Sequence, residues 1–259
     1  MSSESGAKVG VAQTICLVVP CYNEARRLNA DRFVEFLTSD SATRILFVDD
    51  GSADDTLAVL EQLRRRCEGR ISILPCQPNV GKAETVRRGI LYALDTFQPP
   101  LVGFWDADLA TSLQAVQSFS DVLASRPDIE MVFGARVKLL GRQVERRAVR
   151  HYLGRIFATA VSTMLRMPIY DTQCGAKLFR VQPETRQIFA APFLSRWVFD
   201  VEIIARYLNF YGRDTKRLAS AIYEYPLEAW VDVAGSKVHA LDFFVAFRDI
   251  VRIRHKYLS

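Results

Sequence analysis

Five short apolar runs punctuate the first half of the chain, at residues 15–20, 44–49, 71–76, 101–106 and 130–135. Their nearly unbroken hydrophobicity predicts strands buried on both faces. Between them, apolar residues recur at helical spacing and predict helices over 24–37, 54–66, 81–94 and 112–124. Asp54 suits the start of the second helix, and Thr111 or Ser112 the start of the fourth. Proline at position 20 reads as the end of the first strand. A repeated strand–helix order predicts an α/β fold with a mainly parallel sheet and helices on both faces. In such sheets ligands gather beyond the carboxyl ends of the strands.

The second half is patterned differently. Residues 142–167 read as one helix, basic at its start and apolar at its end. A strand-like TQCGAKLF follows at 172–179, then helices at 183–190 and 198–210, a strand at 221–227 and a final helix from about 240 to 256. No linker, repeat or low-complexity segment divides the chain, which predicts a single domain.

Composition narrows the class. The chain has 259 residues, 49% hydrophobic and 24% charged, as an ordered globular protein requires. Its net charge of +5 suits an anionic partner without naming one. The five cysteines show no metal-ligand or redox spacing and read as reduced, partly buried thiols of a cytosolic protein. The opening MSSESGAKVG lacks the pattern of a secretory signal. No segment has the length and hydrophobicity of a membrane span; the nearest, 240–253, is broken by Asp242, Arg248, Asp249 and Arg252. A cytoplasmic chain, lying against a membrane surface rather than crossing it, is the expectation.

Candidate chemistry falls where the strands end. PCYNE follows the first strand, with Asn23 suited to a turn and Glu24 to a helix start. VDDGSADDT follows the second. Asp54 accounts for the cap there, so Asp49 and Asp50 are in excess, and like charges this close call for a partner. The fourth strand ends in WDADLA. Extended backbone would turn Asp106 and Asp108 to one side, where two carboxylates suit Mg²⁺ or Mn²⁺ held jointly with phosphate. Gly81 and Lys82 open a helix, whose N-terminus with a lysine can hold an anion. Residues 136–155 carry Arg136, Lys138, Arg142, Arg146, Arg147, Arg150 and Arg155 just ahead of an apolar stretch, a pattern suited to an anionic lipid head group. Arg136, directly after a strand, is the leading candidate for an acceptor phosphate or a donor diphosphate. Trp197 can stack on a sugar or an isoprenoid, and Asp200 and Glu202 can orient sugar hydroxyls. His151, His239 and His255 have no partner at metal spacing.

VVPCYNE, VDDGSADDT, NVGKAETVRRGI and WDADLA resemble the nucleotide-sugar half of the inverting GT-A glycosyltransferases. DTQCGAKLF, RWVFDVEII and EAWVDVAGSK narrow the resemblance to dolichyl-phosphate β-glucosyltransferases and their relatives, the dolichyl-phosphate mannose synthases, from about residue 15 to the end. The resemblance implies a GT-A (Rossmann-like) fold with a C-terminal acceptor-side extension: residues 10–136 for the nucleotide-sugar, 137–259 for the acceptor and membrane. It implies that Pro20, Tyr22, Glu24, Asp49 and Asp50 cradle the nucleotide, that Gly81 and Lys82 contact the nucleotide-sugar, and that Asp106 and Asp108 bind metal and diphosphate. Gln173 and Gly175 would line the sugar and acceptor site, with Arg147 and Lys237 on phosphate. Mannose synthases usually continue Asp-Ala-Asp-Leu-Gln, and their glutamine also touches the metal. Alanine stands at that position here, Ala110, which weakens the mannose reading.

The implied reaction is inverting transfer of a hexose from UDP-glucose, or GDP-mannose in the alternative, to polyprenyl or dolichyl phosphate. The acceptor phosphate is itself the nucleophile, so alignment and charge stabilisation are the protein's tasks. A soluble or saccharide acceptor would instead need a general base, for which Asp200 or Glu202 is nearest. A non-catalytic nucleotide-sugar-binding module is the third reading. No nucleic-acid partner is expected.

Overall fold

The first strand, β1 (Ile15–Cys21), shows how one sequence stretch serves two cores. Leu17 and Val19 point into one apolar cluster, and Cys16 and Val18 into the other, all fully buried. The same division holds along the sheet, so near-continuous apolar runs reflect burial on both faces. The computed structural model describes residues 15–67, 69–137, 143–145, 148–231 and 240–259.

After β1 the chain runs through α1 (Ala30–Ser39), β2 (Thr43–Asp49), α2 (Thr56–Arg66), β3 (Ile71–Pro75), α3 (Lys82–Thr96), β4 (Leu101–Trp105), α4 (Ala115–Ser125) and β5 (Met131–Ala135). It continues through β6 (Gln143–Glu145), α5 (Ala148–Leu165), β7 (Ala176–Arg180), α6 (Pro183–Ala190), α7 (Phe199–Phe210), α8 (Thr215–Ala221), β8 (Ile222–Pro226), β9 (Ala229–Val231) and α9 (Ala240–Tyr257). Seven strands form one sheet in the order β3-β2-β1-β4-β7-β5-β8. Six run in one direction. β7 is antiparallel to both β4 and β5 and is inserted between them. The second half of the chain therefore completes the sheet that the first half begins. Residues of α1, α2 and α4 fill one face, and residues of α3, α5, α6, α7 and α9 the other.

The predicted α/β fold with a mainly parallel sheet is the one observed, and several boundaries are corrected. The first helix begins at Ala30, not Glu24, because residues 22–28 form bends and turns tied to the loop after β2. β1 runs one residue past Pro20. α4 begins at Ala115, with neither Thr111 nor Ser112 as its cap residue; Thr111 is buried, its hydroxyl 3.7 Å from the Cys174 thiol. The predicted helix over 142–167 divides: residues 143–145 pair in parallel with β9, and the helix begins at Ala148. TQCGAKLF is strand only from Ala176, its first residues forming a turn. α8 and β9 had no sequence signal. Arg147, Lys138, Arg142, Arg146, Lys237 and His239 lie outside the described residues, as do the side chains of Arg150 and His151.

α3 lies directly on β1 and β2 through Gly89. A Cβ there would fall 2.4 Å from Val18 Cγ1 and 2.8 Å from Val48 Cγ2. Gly89→Ala is expected to lower the unfolding free energy by about 1–3 kcal/mol through overpacking, despite alanine's higher helix propensity. The midpoint of urea denaturation measures it, and an unchanged or raised midpoint would contradict this packing.

Candidate active site

The loops after β1 and β2 are laced together by backbone and short polar side chains. Asn23, at φ 54°, receives Ala53 N–H on its Oδ1 at 2.8 Å and donates its own N–H to Ser52 Oγ at 3.0 Å. Glu24 N–H donates to Thr56 Oγ1 at 2.8 Å, and Ala25 N–H to Asp54 Oδ2 at 3.2 Å. Ser52 Oγ also donates to the buried Asp49 at 2.5 Å. Pro20 sits in β1, and Tyr22 is exposed at the lip of this cradle. Asp54 thus ties loops together, and the position preceding α2 is Asp55.

Asp50 has a different task from its neighbour. Its two carboxylate oxygens accept the N–H groups of Val80 and Gly81, each at 2.8 Å. That contact fixes the entry to α3. Gly81 has φ +86°, which an L side chain rarely adopts, and a Cβ there would fall 3.4 Å from Cδ of the overlying Arg196. The carboxylate read as a nucleotide ligand is therefore taken up by loop amides. It positions Lys82, the first residue of α3.

Asp106 and Asp108 do not converge through extended backbone. β4 stops at Trp105, Leu109 N–H donates to Asp106 O at 3.2 Å, and Leu109 adopts φ 52°. The pair sits in a tight turn. Asp106 Oδ1 is 2.5 Å from Lys82 Nζ. Asp106 N–H donates to Gly175 O at 2.9 Å, and its carboxylate lies over the Gly175 backbone so closely that a Cβ would be 1.9 Å from Oδ2. Asp108 Oδ1 accepts Ala110 N–H at 3.1 Å, and Oδ2 is 3.7 Å from Arg27. Burial first, and then the Asp106 charge, raise the Asp108 carboxyl above its usual range. Burial opposes the charge on Lys82, but Asp106, Asp200 and Asp108 outweigh it and hold the ammonium above its ordinary value.

Gly175 belongs to the turn before β7, and several buried groups hold that turn. Arg136 forks onto Asp171, Nε to Oδ2 at 2.6 Å and Nη2 to Oδ1 at 2.7 Å, under the ring of Trp230. Glu224 on β8 accepts the N–H groups of Tyr170 and Asp171 at 2.9 Å. Lys177 Nζ donates to Thr172 O at 2.9 Å and Cys174 O at 2.8 Å, and is 2.6 Å from Asp200 Oδ1. Gln173 Nε2 is buried with no hydrogen-bond partner among the described residues, which marks it as a group suited to a ligand.

Three assignments change with this geometry. Arg136 is a clamp on Asp171 rather than an open phosphate fork, because the end of β5 places the two side by side. Asp200 is buried and ion-paired with Lys177 on β7, and burial raises its carboxyl. Glu202 is taken up elsewhere in the same core: it pairs with Arg206 at 2.7 Å and accepts Leu194 N–H at 2.7 Å and Tyr257 Oη–H at 3.0 Å. It cannot serve as a base there. Trp197 is exposed just before α7, beside the Arg196 that covers Gly81. Sequence reading missed Lys177, Glu224 and Arg27. The one signal was a lysine in the middle of the apolar run AKLF.

The donor set suits a hard divalent cation. Among the described residues no group of three or more His, Cys, Asp or Glu side chains could hold a metal by itself. Two carboxylates in a turn, one raised by the charge of the other, instead fit an ion whose remaining sites go to phosphate oxygens and water, as Mg²⁺ and Mn²⁺ sites commonly do.

Known proteins agree with this architecture. The profile of Glycosyl transferase family 2 matches residues 16–184. Dolichyl-phosphate beta-glucosyltransferase of Dictyostelium discoideum is 32% identical over 94% of this chain and 75% of its own length. The Saccharomyces cerevisiae enzyme of the same name is 31% identical, with the same shares covered. Among solved structures, glucosyl-3-phosphoglycerate synthase of Mycobacterium tuberculosis, in complex with Mn²⁺ and UDP-glucose, superposes with a TM-score of 0.63 at 16% identity, over 95% of this chain and 79% of its own. That likeness establishes the GT-A fold, and the family match with its relatives establishes the rest: the chain belongs to Glycosyl transferase family 2 and is a glycosyltransferase.

Proposed function

We propose that this glycosyltransferase moves glucose from UDP-glucose to a dolichyl or other polyprenyl phosphate, with inversion at the anomeric carbon. The observation that carries the reading is the Asp106–Asp108 turn, seated on Gly175 and facing Lys82. It is supported by relatives named for that activity at 31–32% identity. In the reaction an oxygen of the acceptor phosphate attacks the anomeric carbon, the bond from that carbon to the diphosphate oxygen breaks, and UDP leaves with the electron pair. Because the nucleophile is already an anion, the burial of Asp200 and Glu202 is no obstacle: no general base is needed. A divalent cation held by Asp106 and Asp108 would neutralise charge on the departing diphosphate. Lys82, at the N-terminus of α3, adds a second positive group there. The cradle of Tyr22, Glu24 and Asp49 receives the nucleotide, and Gln173 and Trp197 border the sugar and acceptor side. On this reading residues 10–136 serve the donor and 137–259 the acceptor.

The lipid acceptor accords with the outer surface of α9. Phe247 and Val251 are exposed there among Arg248, Arg252, Arg254 and Lys256, while Asp249 is buried. Ile156 of α5 is 60% exposed, and its neighbour Phe157 stacks edge-on against Phe247. An apolar strip edged by cations fits the interface of an anionic membrane. Among the described residues no helix is long and apolar enough to cross a membrane. Peripheral attachment to the cytosolic leaflet follows from the proposal.

Labelled UDP-glucose incubated with polyprenyl phosphate and Mn²⁺ or Mg²⁺ is expected to give label in the organic extract, and GDP-mannose much less. Label that stays aqueous, on a soluble acceptor, would defeat the lipid assignment. Asp106→Asn and Asp108→Asn should each lower kcat/KM by about a hundredfold or more, the scale of several kcal/mol of charge stabilisation. Turnover retained in both, still dependent on the cation, would refute their role. Arg254→Ala with Lys256→Ala should weaken co-sedimentation with phosphatidylserine vesicles at low salt by about 1 kcal/mol per residue. Equal sedimentation of the variant and the parent would remove α9 from membrane contact.

A further inference from the structure

Lys177 is the only lysine among the described residues with no exposed surface, and it lies in the strand that reverses the sheet. Its ammonium donates to Thr172 O at 2.9 Å and Cys174 O at 2.8 Å and forms an ion pair with Asp200 Oδ1 at 2.6 Å. The rings of Phe104 and Phe133 flank it at 5.5 and 5.3 Å. Such a charge is costly to bury, and an apolar residue would fill the same space. What a Met or Leu would not do is gather two carbonyls of one turn. Those carbonyls bracket Gln173 and immediately precede Gly175. Gly175 in turn accepts Asp106 N–H at 2.9 Å and underlies the Asp106 carboxylate without a Cβ between them. The route from Lys177 to the acidic pair is therefore short and made of backbone.

We propose that Lys177 is a positioning residue: by tying the 172–175 turn to Asp200 it fixes Gly175 beneath Asp106, and so sets how tightly the Asp106–Asp108 turn holds a divalent cation. The inference rests on the reading of that turn as the cation site. Lys177 touches no substrate; it acts through Gly175.

The test is Mn²⁺ binding to the whole chain with UDP present and no acceptor, followed by the electron paramagnetic resonance signal of free Mn²⁺ and corrected for a blank of UDP alone. Lys177→Met should weaken Mn²⁺ binding by about tenfold, the scale seen when a supporting partner of a metal ligand is removed. Asp200→Asn, which keeps the side chain's shape, should weaken it in the same direction by less. The double variant Lys177→Met/Asp200→Leu removes both charges, so its melting temperature should recover towards the parent's. Its Mn²⁺ affinity should stay low, which a merely stabilising ion pair would not produce. Mn²⁺ affinity equal to the parent's in Lys177→Met, or restored along with stability in the double variant, overturns the proposal. Asp200→Asn and the double variant give the answer if Lys177→Met alone does not fold. Asp106→Asn is the reference: a parent that binds Mn²⁺ no better than Asp106→Asn sinks the cation-site reading itself, separately from the role of Lys177.

Discussion

The site depends on a carboxylate resting on bare backbone. Asp106 leaves the end of β4, and the space its side chain needs exists only because residue 175 has no Cβ. That contact is possible because β7 runs against its neighbours. In a wholly parallel sheet, the turn entering a strand would lie at the amino edge, far from the ends of β1, β2 and β4. Reversal brings the 171–175 turn to the carboxyl edge, where ligands of such sheets gather. One antiparallel strand thus brings the 171–175 turn to the same rim as the loops that follow the parallel strands β1, β2 and β4.

The polar groups around this contact serve mostly to hold loops. Asp50 takes the amides that open α3, Arg136 takes Asp171, Glu224 takes the amides of Tyr170 and Asp171, and Lys177 takes two carbonyls and Asp200. A loop so braced loses little freedom when a substrate arrives, which is the physical content of preorganisation. It also explains why charged residues so close to the site are so little exposed.

The parallel part of the fold was legible because burial on both faces writes a continuous apolar run, and turn residues punctuate it. β1 to β5 are recovered almost residue for residue. Segments whose conformation is set by distant partners were not. Glu24 reads as a helix start, yet residues after it are held in turns by Asp54 and Thr56, about thirty positions downstream. Residues 143–145 read as helix until β9 pairs with them. At the site, sequence spacing located the acidic pair, and the family resemblance singled out the glycine. It could not reveal that Arg136 and Asp200 are neutralised by Asp171 and Lys177, since those pairs are 35 and 23 positions apart. An arginine after a strand looks the same in sequence whether it meets a phosphate or a carboxylate.

Charge balance at the rim then argues for an added cation. Among the described residues, Lys82 is matched by Asp106, Arg27 by Asp108 and Glu24, Arg136 by Asp171, and Lys177 by Asp200. These side chains leave little net positive charge for an incoming diphosphate. Direct contact of that anion with two nearby carboxylates would be repulsive. Asp108 already registers the strain, its carboxyl raised by burial and by Asp106 despite Lys82 and Arg27 close by. Asp106 and Asp108 would hold a divalent ion there, and its charge would offset that repulsion. Lys82, at the N-terminus of α3 beside Asp106, would offer its ammonium to the phosphate. Acid residues that would repel the donor by themselves become, with the ion, the reason it binds in one orientation.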